Sequence, residues 1–304
     1  MPHMYILSKD ADEYRSILEK SKLPDLIIDK ELTETCEILF GSPFSIRDVL
    51  GKLPNLRWVQ STWAGVEPLL DPSLRRNYTL TNARGVFGGL MSEYIFGYLL
   101  AHERKIFERM EAQKNKQWDT SLTGSLRGKT IGLLGVGSIG AEIAQTAKIF
   151  GMIVRGYTRT SKASTQVDRY YHGDELLEFV NGLDYLVNIL PNTRETKKII
   201  DANTLNALPS HAIFINVGRG STVDEPALLK VLQENKIAGA VLDVFEQEPL
   251  PSEHPFWDAP NLSITFHTSA PSLPEDIAQV FIENYKLYSD RKPLKHQVDF
   301  ERGY

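Results

Sequence analysis

Short apolar runs alternate with amphipathic stretches along almost the whole chain. The apolar runs predict buried strands, and stretches with apolar residues at helical spacing predict the helices between them. Strands that alternate with helices are typical of parallel sheets with helices on both faces. Because the alternation restarts after one long helical stretch, the pattern predicts an α/β protein with two doubly wound parallel-sheet domains.

The first third of the chain carries enough strands to close a small sheet by itself. A helical pattern over residues 91–111 follows, and then a polar linker or arm, AQKNKQWDTSLTGS. We place the domain boundary at this helix, so that one domain comprises residues 1–98 plus the returning tail 289–304, and the other comprises residues 99–288. The predicted strands of the first domain are MYIL, DLIID, CEILF and LRWVQS, with the helix ADEYRSILEKS among them.

The second domain carries a longer series of predicted strands. Its last helix opens with Ser272 and Glu275 at the spacing of a capping box, with Pro274 in the first turn, where proline is tolerated. The predicted strands are TIGLLG, MIVRGY, DYLVNIL, AIFINVG, GAVLDVF and LSITFH.

Composition narrows the class of protein. The 304 residues are 42% hydrophobic and 24% charged, as in an ordinary globular protein with a good core. The net charge of −5 disfavours nucleic acid and anionic membranes as partners. The single cysteine, Cys36, lies in an apolar run and is interpreted as a core residue in a reducing compartment. With no apolar run near the ~18 residues of a membrane span and no signal-peptide pattern, a cytoplasmic protein is the simplest interpretation.

The segment LLGVGSIG contains a G-x-G-x-x-G pattern between an apolar strand and an alanine-rich helix. In that context the pattern predicts a Rossmann dinucleotide-binding turn, although a purely structural turn is the alternative. The glycines permit the tight turn, the approach of a diphosphate and close helix packing, and the helix N-terminus offers free N–H groups. The residues predicted to contact the diphosphate are Gly135, Gly137, Ser138, Ile139 and Gly140.

The end of the next strand carries no carboxylate at the position where one usually binds the adenosine ribose. It reads Thr158, Arg159 and Thr160, with Lys162 close behind. Because a guanidinium pairs with a 2′-phosphate that a carboxylate would repel, the segment predicts NADP(H) over NAD(H), with NAD(H) still possible. The alternative is that these cations are solvated loop charges.

Three later strands deliver polar side chains to the edge of the sheet where ligands bind in such folds. Arg219 follows AIFINV, Glu246 and Glu248 follow AVLDVF, and His267 follows LSITF. A histidine supplies the proton that a carbonyl oxygen needs after hydride transfer, a neighbouring carboxylate keeps it charged, and an arginine orients a keto acid. Separately, each of the three has a structural explanation; together they predict a hydride-transfer site.

Four ordered motifs, LLGVGSIG, INVGRG, LDVFEQEPLP and ITFHTSA, resemble those of the D-isomer-specific 2-hydroxyacid dehydrogenases. LRGKTIGLLG, ILPNTRET and VDFERGY look most like the bacterial A-type glyoxylate/hydroxypyruvate reductases of that family. The resemblance covers nearly the whole chain and implies a flavodoxin-like substrate domain and a homodimer. It assigns Arg219 to substrate orientation, His267 to acid/base chemistry and Glu248, which directly precedes Pro249, to the partner of His267.

The same resemblance assigns further contacts to cofactor and substrate. In the first domain, STWAGVE is similar to the loop whose N–H groups bind the substrate carboxylate, with Trp63 as a wall or else a core aromatic. Arg84 departs from the family pattern, and its interpretation as a second substrate cation or a surface charge stays open. The remaining assignments are Leu190, Pro191, Thr196, Val217, Gly218, Asp243, His267 and Ala270 for the cofactor, and Trp63, Ala64, Gly65, Arg219 and His267 for the substrate, with no metal.

The sequence therefore predicts an NADPH-preferring reductase of glyoxylate or hydroxypyruvate. Two alternatives stay open. One is a dehydrogenase of another D-2-hydroxy acid, derived from phenylpyruvate or a branched keto acid. The other is a non-catalytic NAD(P)-sensing protein similar to the corepressors of this family, although the chain shows no basic patch or disordered tail for partners.

Overall fold

The structure is a computed structural model that describes residues 1–159 and 165–303. These residues form two compact units, Met1–Val86 with Ser272–Tyr304, and Phe87–Pro271. The strands of the described residues are β1 (His3–Leu7), β2 (Ile27–Ile28), β3 (Ile38–Gly41), β4 (Trp58–Ser61), β5 (Thr79–Thr81), β6 (Thr130–Leu134), β7 (Ile153–Tyr157), β8 (Arg169–Tyr171), β9 (Tyr185–Asn188), β10 (Ile213–Asn216), β11 (Gly239–Leu242) and β12 (Leu262–Ile264). Their helices are α1 (Ala11–Lys20), α2 (Pro43–Arg47), α3 (Gly88–Glu103), α4 (Ile106–Lys114), α5 (Ser138–Ile149), α6 (Leu176–Val180), α7 (Ala202–Asn206), α8 (Glu225–Gln233) and α9 (Pro274–Ser289).

The first unit is built on a five-stranded parallel sheet with the order β2-β1-β3-β4-β5. This is the flavodoxin-like strand order. The ring of Phe281 on α9 stacks on Trp58 and on Phe40, each with centroids 5.0 Å apart. Cys36 is fully buried, and burial raises the pKa of its thiol to about 11, so it is a neutral core residue.

The second unit is built on a seven-stranded parallel sheet with the order β12-β11-β10-β9-β6-β7-β8. Numbered within the unit, six of these strands have the Rossmann order 3-2-1-4-5-6. Successive residues of β9 enter different apolar clusters: Leu186 packs into one and Val187 into the other. The sheet is therefore covered on both faces, and the order reverses between β6 and β9, where ligands bind in folds of this type.

The limits of the two units differ from the predicted boundaries at two helices. The prediction divided α3 and assigned α9 to the second domain, whereas α3 belongs to the second unit and α9 to the first. Helix α3 packs against α5, and α9 packs against α1. Periodicity predicts that a helix has an apolar face, but it does not predict which sheet that face will cover.

The predicted helix over residues 91–111 is two helices. Helix α3 ends at Glu103, and α4 begins at Ile106. Lys105 between them has a φ of 53°, in the left-handed region that ends a helix. Apolar spacing that continues across residues 104–106 concealed this break.

The predicted capping box of α9 is wrong. The residue that caps α9 is Leu273, and no side chain caps the helix. The hydroxyl of Ser272 donates instead to the carbonyl of Thr62 at 3.2 Å. A contact with a loop distant in sequence has replaced the local hydrogen bond. The short strands β5 and β8 were also missed, because three residues give little periodicity.

Candidate active site

Residues 135–140, here called the glycine turn, connect β6 to α5. Gly135 has a φ of 96°, which side chains rarely adopt. A Cβ on Gly140 would lie 2.4 Å from the carbonyl oxygen of Gly135, whereas a Cβ on Gly137 would meet nothing within 4 Å. No side chain caps α5, which begins with Ser138 and Ile139. Open space before uncapped N–H groups fits the diphosphate of a dinucleotide.

The end of β7 lies next to the glycine turn in the same sheet. The carbonyl of Thr158 accepts a hydrogen bond from Nδ1 of His172 at 2.6 Å. Nη1 of Arg159 lies 3.8 Å from Oε2 of Glu195, and both side chains are mostly exposed. Thr160 lies outside the described residues. The strand thus ends in a neutral hydroxyl followed by a cation, which fits a phosphorylated ribose.

The segments after β9 and β10 pack closely together beside the glycine turn. A Cβ on Gly218 would lie 2.8 Å from the carbonyl oxygen of Leu190. Val217 is buried before it. The hydroxyl of Thr196 donates to the carbonyl of Pro191 at 2.6 Å and so closes the loop. All five predicted cofactor contacts in these segments therefore come after the ends of β9 and β10, the two strands next to β6 on one side of the sheet.

Arg219 begins a turn that buried amides hold in place. The carbonyl of Arg219 accepts hydrogen bonds from the hydroxyl of Thr222 at 2.6 Å and from Nδ2 of Asn216 at 3.3 Å. Asn188 on β9 donates to both Asn216 and Thr222. Nη1 of Arg219 donates to the carbonyl of Gly218 at 2.8 Å. This network fixes the backbone from which the half-buried guanidinium projects.

His267 and Glu248 form an imidazole–carboxylate pair. Nδ1 of His267 lies 2.8 Å from Oε2 of Glu248. The other carboxylate oxygen accepts a hydrogen bond from the backbone N–H of Phe245 at 2.9 Å. Both side chains keep part of their surface exposed, 47% for the histidine and 35% for the glutamate. The pair therefore combines a fixed orientation with access for a ligand.

The two members of the pair shift each other's pKa. The hydrogen bond to Glu248 and its charge raise the pKa of His267 above its usual value, against the opposing effects of burial and of Arg219. Burial acts to raise the pKa of Glu248. The hydrogen bonds from His267 and Phe245 and the charges of His267 and Arg219 outweigh it, so that pKa is lowered. The arrangement favours an imidazolium beside a carboxylate, and the imidazolium can act as a proton donor.

The histidine loop, residues 265–269, is held by Asp243. This carboxylate is fully buried. Its Oδ1 accepts hydrogen bonds from the hydroxyl of Thr265 at 2.5 Å and from the backbone N–H of Thr268 at 2.9 Å, and its Oδ2 accepts one from the N–H of Ser269 at 3.0 Å. The carbonyl of Asp243 accepts from the N–H of His267 at 2.8 Å. Asp243 thus braces the loop, while its predicted contact with the nicotinamide stays a prediction.

A tyrosine on α3 extends this network. The hydroxyl of Tyr94 lies 2.7 Å from Oγ1 of Thr265. Because Thr265 gives its only hydroxyl proton to Asp243, Tyr94 is the donor in this pair. Burial raises the pKa of Tyr94, so it keeps that proton. Ala270 follows the histidine loop and is half-buried.

In the first unit, residues 62–65 after β4 are called the substrate loop. Its carbonyl groups are occupied by protein donors. The carbonyl of Trp63 accepts hydrogen bonds from the hydroxyl of Ser61 at 3.0 Å and from the N–H of Ala83 at 3.1 Å. The carbonyl of Ala64 accepts one from Nδ2 of Asn82 at 2.7 Å. These hydrogen bonds to its carbonyl groups fix the orientation of the loop.

The N–H side of the substrate loop is open. Within residues 1–159 and 165–303, no protein acceptor is found for the N–H groups of Ala64 and Gly65. Ala64 is exposed and Gly65 half-buried. The side chain of Trp63 is 39% exposed and contacts the edge of Phe44, so it is not a core aromatic. Free N–H groups in a fixed loop fit a carboxylate ligand.

Sequence reasoning missed the residues that support the site. Asn188, Asn216 and Thr265 were assigned to predicted strands and given no role. Each is a polar residue near the end of an otherwise apolar run, and that placement was the available signal. Such a residue has to find a partner when the strand is buried. Asn82 carried no comparable signal, because it lies in a polar loop.

In the part of the chain that the structure describes, no helix is long and apolar enough to cross a membrane. No group of three or more histidine, cysteine, aspartate or glutamate side chains there is arranged to hold a metal ion.

The Rossmann sheet, the glycine turn and the imidazole–carboxylate pair define a nicotinamide-dependent oxidoreductase. Residues 96–269 match the family model described as "D-isomer specific 2-hydroxyacid dehydrogenase, NAD binding domain". A glyoxylate/hydroxypyruvate reductase A of Yersinia enterocolitica is 33% identical over 266 residues, which cover 85% of each chain. The chain belongs to the D-isomer specific 2-hydroxyacid dehydrogenase family, and it is an NAD(P)-dependent 2-keto acid reductase.

Solved structures agree over the whole length of the chain. A D-isomer specific 2-hydroxyacid dehydrogenase family protein from Aeromonas salmonicida superposes with a TM-score of 0.94 and 42% identity, covering 98% of this chain and 99% of that one. An NADPH-dependent glyoxylate/hydroxypyruvate reductase from Sinorhizobium meliloti, solved with NADP and sulfate, has a TM-score of 0.89 and 26% identity, with both chains fully covered. The predicted fold of two doubly wound domains is confirmed.

Proposed function

We propose that the protein reduces glyoxylate and hydroxypyruvate to glycolate and D-glycerate, and that it prefers NADPH. The observation that carries this proposal is the contact of 2.8 Å between His267 and Glu248 at the edge of the cofactor-binding sheet. The relatives add support, since the Yersinia protein is named a glyoxylate/hydroxypyruvate reductase A and the Sinorhizobium structure contains NADP.

The cofactor would be held by the glycine turn and by the segments after β7, β9 and β10. The uncapped start of α5 would bind the diphosphate, and Arg159 would bind the 2′-phosphate. When bound, the nicotinamide supplies a hydride to the keto carbon. Leu190, Pro191, Thr196, Val217 and Gly218 would form the surface against which the ring stacks. Their close packing would keep that surface rigid.

The proton and the orientation would come from this chain's own residues. His267 would donate a proton to the oxygen that gains charge during reduction, and it would be charged at neutral pH because Glu248 raises its pKa. Arg219 would bind the carboxylate or carbonyl oxygen of the keto acid. Trp63 and the N–H groups of Ala64 and Gly65 would contact the substrate carboxylate.

Steady-state kinetics test the substrate and the role of Arg219 together. Purified protein would be assayed with glyoxylate, hydroxypyruvate, pyruvate and phenylpyruvate, each with NADPH and NADH. We expect the highest kcat/KM for glyoxylate or hydroxypyruvate with NADPH, and a loss of roughly 10²-fold or more in Arg219→Ala, since a charged contact to the substrate is removed. Turnover with glyoxylate that survives this change within a few-fold would contradict the assignment, and no turnover on any keto acid would favour a binding role.

The cofactor preference rests on Arg159, and two substitutions test it. Arg159→Ala should raise the KM for NADPH about tenfold or more and change that for NADH little, because only NADPH carries the 2′-phosphate. Glu195→Gln is the matched control: it removes the carboxylate 3.8 Å from this guanidinium but keeps the cation. Its KM for NADPH should stay the same or fall. Equal effects of Arg159→Ala on both cofactors would remove the basis for the preference.

We also propose that two copies associate as a homodimer. The supporting observation is the exposure of large apolar side chains on and after α4. Light scattering of the purified protein should give about twice the mass of one 34.3 kDa chain, and a mass of one chain would contradict the proposal. The exposed side chains are Ile106 (43%), Phe107 (56%), Met110 (54%), Trp118 (93%) and Leu122 (90%).

A further inference from the structure

The segment that follows β5 lies directly beside the substrate loop. The N–H of Ala83 donates to the carbonyl of Trp63 at 3.1 Å, and Nδ2 of Asn82 donates to the carbonyl of Ala64 at 2.7 Å. Two consecutive residues of the segment thus bind two consecutive residues of the loop. The next residue along the chain is Arg84, whose Cα follows that of Ala83 by about 3.8 Å. The two pairings run in opposite directions along the chain, so Arg84 continues from Ala83 past Trp63, toward the Thr62 end of the substrate loop.

The side chain of Arg84 is exposed. Its side chain forms no ion pair or hydrogen bond with any of the described residues, 1–159 and 165–303. Other arginines of the same unit are bound: Arg15 donates to two carbonyl groups, Arg47 pairs with Asp71, and Arg76 pairs with Glu301. An arginine that the fold does not use for a contact of its own is available to a ligand.

The groups around Arg84 do not neutralise its positive charge. His296 lies on the neighbouring C-terminal segment. The backbone carbonyl of His296 accepts a hydrogen bond from the N–H of Asn82 at 3.2 Å. Burial lowers the pKa of His296, and the positive charges of Arg84 and Lys295 lower it further. The carboxylate of Glu283 is paired with Lys295 at 3.1 Å. A neutral His296 and a carboxylate already paired with Lys295 leave the charge of Arg84 available to a bound anion.

We infer that Arg84 binds a second carboxylate of the substrate, so that the enzyme also reduces 2-keto acids with two carboxylates. The inference rests on the proposed function and extends it. The first carboxylate would lie on the N–H groups of Ala64 and Gly65, and the second on the planar guanidinium of Arg84, which suits bidentate pairing. Glyoxylate and hydroxypyruvate carry one carboxylate and would leave Arg84 in solvent.

Matched pairs of substrates separate this role from general attraction of anions. The first pair is 2-oxoglutarate and 2-oxopentanoate, which have the same chain length but two carboxylates and one. The second pair is oxaloacetate and 2-oxobutanoate. We expect the wild-type protein to favour the diacid of each pair in kcat/KM. Arg84→Gln should lower kcat/KM for the diacids about tenfold or more, mainly through KM, and that for the monoacids less than about twofold.

Two further variants complete the experiment. Arg84→Lys should retain part of the preference, since it keeps the charge but loses the planar fork. Arg291→Gln is the matched control, because Arg291 is also an exposed arginine of this unit but lies just after α9. It should leave the ratio of kcat/KM for diacid to monoacid unchanged in both substrate pairs. An equal loss for diacids and monoacids in Arg84→Gln would overturn the inference, and so would no loss for either or no wild-type preference for the diacids.

Failure of the proposed function is distinguishable from failure of this inference. If the wild-type protein reduces no keto acid at all, the proposed function fails by itself. Calorimetry of 2-oxoglutarate and 2-oxopentanoate with the wild-type protein and Arg84→Gln in the presence of NADP then reads the preference without turnover. Tighter binding of the diacid that is lost in the variant would support the role of Arg84, and equal binding would overturn it.

Discussion

The glycine turn and the histidine loop follow two strands of the same sheet, but they are built in opposite ways. The glycine turn depends on absent side chains: a Cβ at Gly140 would lie 2.4 Å from a backbone oxygen. The histidine loop depends on three hydrogen bonds that it donates to the buried carboxylate of Asp243, the residue that follows a neighbouring strand. The first geometry is a steric property of its own residues, and the second depends on a residue more than twenty positions away.

The largest expected effect comes from breaking the steric requirement of the glycine turn. Gly140→Ala forces the start of α5 away from Gly135. Overpacking of this kind costs about 1–3 kcal/mol. We therefore expect a lower Tm together with lost binding of NADPH, measured by thermal unfolding and by fluorescence titration of the cofactor.

Gly137→Ala is the matched control for that prediction. Its added methyl group meets no protein atom within 4 Å but occupies the space before the helix N-terminus. The Tm of the protein without cofactor should stay close to that of the wild type, while affinity for NADPH falls. A Tm that drops equally in both variants would show that the two glycines do not have separate roles.

The next largest effect is expected from Glu248→Gln, which acts on the histidine side of the comparison. Reduction needs protonated His267, and Glu248 raises the pKa of that imidazole. Loss of the carboxylate lowers this pKa. As the pH is raised, the rate of reduction by the variant should therefore begin to fall at a lower pH than that of the wild type. We also expect kcat at neutral pH to fall about 10- to 100-fold.

Rate profiles from pH 5 to pH 9 for the wild type and the variant would measure the Glu248→Gln shift. Affinity for NADPH should change little, because the glycine turn is not altered. A profile with an unshifted alkaline limb would contradict the role assigned to Glu248.

The smallest expected effect tests the brace behind His267. Thr265→Val removes one hydrogen bond to Asp243 and the acceptor of Tyr94, but it preserves the shape of the side chain. A net hydrogen bond contributes about 1 kcal/mol. We expect kcat to fall about three- to tenfold with the KM for NADPH nearly unchanged.

Tyr94→Phe is the control for the brace, because it removes only the outer link and leaves the bond between Thr265 and Asp243. Its loss of kcat should be smaller than that of Thr265→Val. A larger loss of kcat in Tyr94→Phe than in Thr265→Val would contradict the proposed series of hydrogen bonds from Tyr94 through Thr265 to Asp243.

Much of the fold was predictable because it follows from local patterns. The alternation of apolar strands and helices predicted two parallel sheets, and the glycine turn was recognised from its own residues. Arg219, Glu248 and His267 were predicted to lie together because each follows a strand of one sheet. The structure brings His267 and Glu248 into contact, and Arg219 influences the pKa of both.

The two errors in helix limits have different origins. Ser272 had the spacing of a capping residue, but its hydroxyl reached the carbonyl of Thr62, which is distant in sequence. Lys105 interrupted a helix whose apolar spacing continued on both sides. In both cases the local pattern was compatible with more than one structure.

The sequence by itself determined the period of its strands and helices, the positions where glycine is required, and the chemical groups at the strand ends. These are properties of neighbouring residues, which act over a few bonds. Only the tertiary structure decided which groups support the site. The pairing of Leu242 with Ile264 sets β11 beside β12 and brings Asp243 next to Thr265, and no local pattern contains that register.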